Sequence, residues 1–181
     1  MTRLIGGVAG GRRIAVPPTG TRPTSDRVRE ALFSMLEARG ALEDAEVLDL
    51  FAGSGALGIE ALSRGASTAV LVERDPRACA VITSNVGVAG VRGALVRRSA
   101  VLAYLKRTPG PVDLVFVDPP YTDTGDSVDQ VVALLPRWTR TDTVVVVERD
   151  GRSPAPTWPE GLEPEEPRVY GETTLHVATS R

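Results

Sequence analysis

A chain of 181 residues and 19.2 kDa has the size of one domain. It buries roughly 70% of its unfolded surface, so it requires no disulfide or metal staple. Its single cysteine, Cys79, excludes an intrachain disulfide and a cysteine-based zinc site, and no metal is expected. No apolar run approaches the roughly 18 residues of a membrane span. The first residues also lack the apolar core of a signal peptide, so a cytoplasmic protein is expected. The net charge of −2 is unevenly spread: residues 1–30 carry +4 and residues 148–172 carry −4. A basic arm on an acidic body suits a polyanionic partner on one face. Only Lys106 among the 21 basic residues is lysine, which fits GC-rich coding better than selection for phosphate contacts.

Residues 3–16 read as two short strands turning at Ala9-Gly10-Gly11. Residues 1–20 are then a basic hairpin extension of a main domain over 21–181. An isolated hairpin is marginal in water, so the extension is not expected to fold alone. A helix follows, with Thr24 or Ser25 as N-cap and Gly40 just past its end. Val28, Ala31, Leu32, Met35 and Leu36 form its apolar stripe. From residue 46, strands at 46–51, 68–73, 94–98, 112–118 and 143–148 alternate with helical patterns at about 56–64, 76–89, 99–107 and 126–135. Prolines at 154, 156, 159, 164 and 167 break this rhythm. A final pair, 168–170 and 174–179, turns at Gly171-Glu172 as an antiparallel hairpin on the sheet edge. The pattern predicts an α/β fold: a doubly wound, mostly parallel sheet of seven strands with an antiparallel C-terminal edge.

The first strand of this alternation runs into Asp49-Leu50-Phe51-Ala52-Gly53-Ser54-Gly55-Ala56-Leu57-Gly58, a G-x-G-x-x-G turn between strand and helix. Glu73 lies 20 residues after Gly53, where an acid accepts from both ribose hydroxyls of a nucleoside. This much fits NAD as well as S-adenosylmethionine. Asp49 separates them, because a carboxylate repels a pyrophosphate and attracts an ammonium or sulfonium. At 4 Å the attraction between unit charges is about 4 kcal/mol at an effective dielectric near 20. The only histidine, His176, falls in the last strand and reads as a structural or surface residue.

The fourth strand ends in Asp118-Pro119-Pro120-Tyr121. Two prolines end ladder donation and stiffen the turn, aiming the Asp118 carboxylate and the Pro119 carbonyl at one spot. Two acceptors suit the exocyclic amine of a nucleobase, whose lone pair is delocalised into the ring. Tyr121 is placed to stack on a flipped base, a contact worth about 1–3 kcal/mol. Trp138 and Trp158 read as packing residues, and Glu163-Pro164-Glu165-Glu166 as a solvated turn.

Residues 48–58 resemble the first motif of class I (Rossmann-like) methyltransferases, and 118–121 the amino-methyltransferase tetrad. The stretch Arg22-Pro23-Thr24-Ser25-Asp26-Arg27-Val28-Arg29-Glu30-Ala31-Leu32-Phe33 is more specific. With Arg3-Leu4-Ile5-Gly6-Gly7 and Gly11-Arg12-Arg13 it resembles the bacterial 16S rRNA guanine-N2 methyltransferases of the RsmD family, over nearly the whole chain. The resemblance implies S-adenosylmethionine as cofactor and 16S rRNA, in the small subunit or an assembly intermediate, as partner. It implies Asp118, Pro119, Pro120 and Tyr121 at the reacting amine. It implies Asp49, Phe51, Gly53, Ser54, Gly55, Gly58, Glu73, Arg74, Ser99, Ala100 and Thr24 at the cofactor. Arg3, Arg12, Arg13, Arg22 and Arg27 would meet RNA. The family's kind often has an acid after the third strand for the adenine amine; here Arg98-Ser99-Ala100 stands there, and Ser99 or a backbone carbonyl takes its place. A monomer is the default. Three other readings remain open on the residues: adenine-N6 methylation of DNA or RNA, an NAD-dependent oxidoreductase, and a non-catalytic RNA-binding module.

Overall fold

The computed structural model describes residues 1–18, 24–120, 122 and 125–181. β1 (Thr2–Arg3) and β2 (Arg13–Ile14) pair antiparallel as the expected hairpin. The helix α1 (Asp26–Ala38) starts at Ser25, whose hydroxyl accepts from the Val28 N–H, and stops before Gly40. Its buried stripe is Val28, Arg29, Leu32, Phe33 and Leu36, so Phe33 and an arginine enter where Ala31 and Met35 were expected. The alternation follows as β3 (Glu46–Leu50), α2 (Ala56–Ser63), β4 (Thr68–Glu73), α3 (Pro76–Ala89), β5 (Ala94–Arg98), α4 (Val101–Leu105), β6 (Val112–Val117) and α5 (Gly125–Leu134). A 3₁₀ turn (Leu135–Trp138) leads into β7 (Thr139–Asp150), then β8 (Leu162–Pro164), β9 (Arg168–Tyr170) and β10 (Thr173–Ser180). In α3 the Asp75 side chain caps the Arg77 N–H and Pro76 sits in the first turn, where its missing N–H costs nothing.

Among the described residues the large sheet has eight strands in the order β5-β4-β3-β6-β7-β10-β8, with β9 also paired to β10. β3 to β7 are mutually parallel, and β10 runs antiparallel to β7. One strand exceeds the seven expected: β8 forms inside the proline-rich stretch, pairing Leu162 to Pro164 along the outer side of β10. A short edge segment tolerates proline, which a central strand does not. The run 162–166 also differs from a plain solvated turn. Glu163 pairs with Arg181, and Glu165 forms a two-pronged ion pair with Arg39 at 2.5 Å.

The parallel strands are apolar on both faces because helices cover both. Val47, Leu71, Phe116 and Val146 face α1 and α2 in one cluster. Leu48, Leu50, Val115, Val117, Val145 and Val147 face α4 and α5 in another, with Trp138 packed among them. Trp138 donates to the Leu105 carbonyl at 3.0 Å and stacks on Tyr104, the packing role expected of it. No helix among the described residues is long and apolar enough to cross a membrane.

Polar groups hold the hairpin to the sheet's helices. The fully buried Glu60 of α2 accepts from the Ile5 and Gly6 N–H groups and pairs with Arg64. Ser63 accepts from the Ala9 N–H and donates to the Gly6 carbonyl. The backbone passes so close here that a Cβ on Gly7 would lie 1.9 Å from the Ser63 carbonyl oxygen. Asn85 of α3 exchanges two hydrogen bonds with Ala15 and donates a third to the Ser54 carbonyl, tying the end of the hairpin to the glycine turn.

Candidate active site

Strand order reverses between β3 and β6, so the crevice beyond their carboxyl ends is where an open α/β sheet binds ligands. Asp49 occupies the next-to-last position of β3, in register with Leu71 and Phe116. It is fully buried, and its carboxylate accepts from the Gly58 N–H at 2.9 Å. A Cβ on Gly58 would stand 3.1 Å from that oxygen and 2.9 Å from Leu71, so glycine permits the approach. Burial lifts the Asp49 carboxyl to about 7; the Gly58 hydrogen bond opposes this and the Glu73 charge adds to it. The turn itself is left-handed at Phe51, Gly53 and Gly55, and Phe51 takes that conformation with a side chain. Glu73 closes the turn by accepting from the Gly53 and Asp75 N–H groups.

A cavity of about 420 Å³ opens here, within the span of about 300–1,000 Å³ usual for small-molecule sites. Phe51, Gly53, Glu73, Arg74, Ser99 and Ala100 wall it. Ser99 and Ala100 remain outside α4, which is shorter than the expected 99–107, and this leaves them free to form the wall. A smaller cavity of about 60 Å³ is lined by Thr24, Arg29, Asp49, Ser54, Asp118 and Pro119 among others. Asp118 directly follows β6, and with Pro120 it borders both cavities. Its carboxyl lies well above the usual carboxylate range, through burial first and then the charges of Glu148 and Asp49, with the Thr24 hydroxyl opposing. Glu148 of β7 is raised too, by burial against the same hydroxyl.

The family model described as Conserved hypothetical protein 95 matches residues 2–179. The chain is 37% identical to ribosomal RNA small subunit methyltransferase D of Escherichia coli, over 97% of this chain and 88% of that protein. It belongs to that family. Two solved structures share the fold and much of the sequence. Escherichia coli yhhF is 35% identical with a TM-score of 0.86, covering 99% of this chain and 98% of that one. A hypothetical protein of Thermus thermophilus is 33% identical with a TM-score of 0.85, covering 98% of each.

In this methyltransferase most residues expected at the cofactor gather at the two cavities. Gly55 and Gly58 stand behind the walls: Gly55 begins α2 and Gly58 holds Asp49. Thr24, expected at the cofactor, lines the smaller cavity and turns its hydroxyl to Glu148 at 2.8 Å and Asp118 at 3.4 Å. The residues fit S-adenosylmethionine. Asp49 is a buried acid with one donor among the described residues, a setting that suits a cation, and Glu73 lines a cavity shared with apolar groups such as Val72, Ala78, Val101 and Val131.

The arginines divide. Arg13 and Arg27 are exposed, and Arg3 is exposed beside Asp26 at 3.8 Å. Arg12 instead donates to the Val88 and Ala89 carbonyls at the end of α3, so it anchors the hairpin. Arg22 and Tyr121 lie outside the described residues.

Two site residues escaped the sequence reading. Glu148 carries no motif; its position as the last residue of an expected strand was the available signal. Arg29 is fully buried, and one of its nitrogens donates to Thr2, to the Arg3 carbonyl and to Asp26, while Nε and Nη1 have no partner among the described residues. An arginine in register with an apolar stripe was its signal. His176 is buried in β10, where burial lowers its pKa, in keeping with a structural role.

Proposed function

We propose that this methyltransferase carries a methyl group from S-adenosylmethionine to the exocyclic N2 amine of a guanine in 16S rRNA. The substrate is the small ribosomal subunit or its assembly intermediate. The observation that carries the reading is Asp118, an acid beside two prolines that has one long donor among the described residues and borders both the cofactor-sized cavity and the smaller one. The relatives' name, ribosomal RNA small subunit methyltransferase D, supports the substrate class.

S-adenosylmethionine supplies a methyl group on a cationic sulfur. Asp49 meets the cofactor's positive charge, and Glu73, oriented by two backbone donors, accepts from the ribose hydroxyls. Asp118 and the Pro119 carbonyl accept the two N–H bonds of the amine. That favours a pyramidal nitrogen and turns its lone pair toward the methyl group. Positioning and preorganised acceptors account for most of the rate, and no strong base is required because a methylated aryl ammonium is acidic. Arg3, Arg13, Arg22 and Arg27 contact phosphates, and Tyr121 stacks on the base. The protein acts as a monomer in the cytoplasm, where subunits are assembled.

Labelled methyl transfer to subunits lacking the modification, to naked rRNA and to duplex DNA tests this. Label on guanine N2 in subunits supports the reading. Label on adenine, or on DNA alone, replaces the substrate while keeping the chemistry.

A further inference from the structure

Glu148 and Thr24 have no part in the methyl transfer described above, yet the Thr24 hydroxyl links Glu148 to Asp118. We infer that Asp118, Thr24 and Glu148 form a proton relay, with Glu148 as the group that takes the amine's proton out of the site. The inference rests on the amine-methylation reading.

A hydroxyl has one proton to donate and lone pairs to accept. The Thr24 Oγ1 lies 2.8 Å from Glu148 Oε2, a full hydrogen bond, and 3.4 Å from Asp118 Oδ2, a long one. The hydroxyl therefore donates to Glu148 and is left to accept from a protonated Asp118. This gives the chain a direction, from Asp118 through Thr24 to Glu148. A third cavity of about 20 Å³ lies against both acids, bordered by Asp118, Pro120, Glu148, Arg149, Asp150 and Ser153. About 10–15 Å³ suffices for one water, so the relay ends on a water-sized space.

The surrounding charges favour a shared proton. Asp49 on β3 adds negative charge beside Asp118, and Asp150 borders the third cavity. Arg29 on α1 lines the Asp118 cavity, and Arg149 follows Glu148 in β7. Two carboxyls linked by one hydroxyl titrate as a pair, so a proton that the amine releases to Asp118 is shared with Glu148.

The proton balance closes without any co-reactant. Gain of the methyl group leaves the amine nitrogen with one positive charge and a surplus proton. One N–H bond breaks, its electron pair stays on nitrogen, and the proton passes to the Asp118 carboxylate. Asp118 passes a proton to Thr24 Oγ1 as the Thr24 hydroxyl proton moves to Glu148. Asp118 is again ionised, Glu148 is neutral, and water takes the proton from Glu148. Thr24 and Glu148 are thus positioning residues for Asp118.

The test compares wild type, Glu148→Gln, Thr24→Val and Thr24→Ser in single-turnover methyl transfer to small subunits. Glu148→Gln and Thr24→Val are expected to lose about tenfold or more in rate at pH 7, a modest share of what acid–base groups contribute. The KM for subunits and the affinity for S-adenosylhomocysteine stay within about twofold, as expected when only the proton path is cut. Thr24→Ser restores the rate. With its like-charged neighbour gone, Asp118 in Glu148→Gln shows an acidic limb of the pH profile shifted to lower pH. A wild-type rate and limb in Glu148→Gln, or in Thr24→Val, overturns the relay.

A second readout requires no RNA. Carbon-13 titration of the side-chain carboxyls is expected to show two coupled steps in wild type and one lower Asp118 step in Glu148→Gln. Independent titration of the two acids overturns the shared proton. Wild type that methylates no RNA, with the coupled titration intact, instead overturns the functional reading.

Discussion

Glu60 is a fully buried acid beneath the N-terminal hairpin and Asp118 a partly buried one at the carboxyl end of the sheet, and they are served very differently by their surroundings. Glu60 receives two backbone N–H groups and the Arg64 guanidinium. Asp118, among the described residues, receives only a long contact from Thr24, while Asp49 beside it receives one N–H. Buried polar groups in folded proteins are normally satisfied, so an acid short of donors among the described residues is a candidate for function. Burial alone marks neither function nor structure; the count of donors around the carboxyl separates them. The hairpin acid locks two segments together, and the sheet-end acids are the ones proposed to meet an ammonium and an amine.

The largest effect that sharpens this contrast is expected at the hairpin. Glu60→Ala leaves two backbone donors and Arg64 unpaired, and removing one partner of a buried pair costs about 3–5 kcal/mol. Urea unfolding measures it; a loss below about 1 kcal/mol would mean the hairpin docks by its apolar contacts through Leu4, Ala9 and Ile14.

Asp49 gives the opposite signature. Its folded carboxyl sits at about 7, above the ordinary value near 4, so the folded protein holds a proton that the unfolded chain has released between those pH values. Stability from this group is greatest below about pH 4 and declines as pH rises to about 7, by at most about 4 kcal/mol. Asp49→Asn is expected to flatten that part of the stability-versus-pH curve. Binding of S-adenosylhomocysteine, whose ammonium prefers the carboxylate, strengthens over the same interval in wild type alone. Equal slopes in wild type and variant contradict a cation role for Asp49.

The smallest effects separate two neighbouring arginines. Arg12→Ala loses bonds to the end of α3 and costs about 1 kcal/mol in stability, with little change in the salt slope of RNA binding. Arg13→Ala leaves stability alone and lowers that slope by about one phosphate contact. The reverse assignment would show that Arg12 leaves α3 to meet RNA.

What the sequence made legible follows from how local each cause is. The limits of β4, β5 and α3 match the expectation because apolar alternation, the Asp75 cap and Pro76 are properties of the segment itself. Asp118 was legible through the two prolines that follow it, and Asp49 through its glycine turn. β8 was hidden because prolines argue against a strand, and its pairing is supplied by β10, at the edge. Arg29 and Glu148 were hidden for a related reason. Each is buried by elements distant in sequence, the hairpin and the segment before α1, and no periodicity in a charged residue's own helix or strand reports that. Arg12 read as a free phosphate contact since only the fold brings it to the end of α3, 76 residues on.

Asp118 as the acceptor of the amine is tested most directly by measuring methyl transfer and cofactor binding together in Asp118→Ala. Loss of a preorganised group at the reacting atom costs on the order of 10²–10³ in rate. A fall of that size is expected, with S-adenosylhomocysteine affinity within about threefold of wild type, because the proposed cofactor contacts are Asp49 and Glu73. Transfer at the wild-type rate by Asp118→Ala would contradict this, and the under-donated acid at the end of β6 would then be something other than the acceptor of the amine.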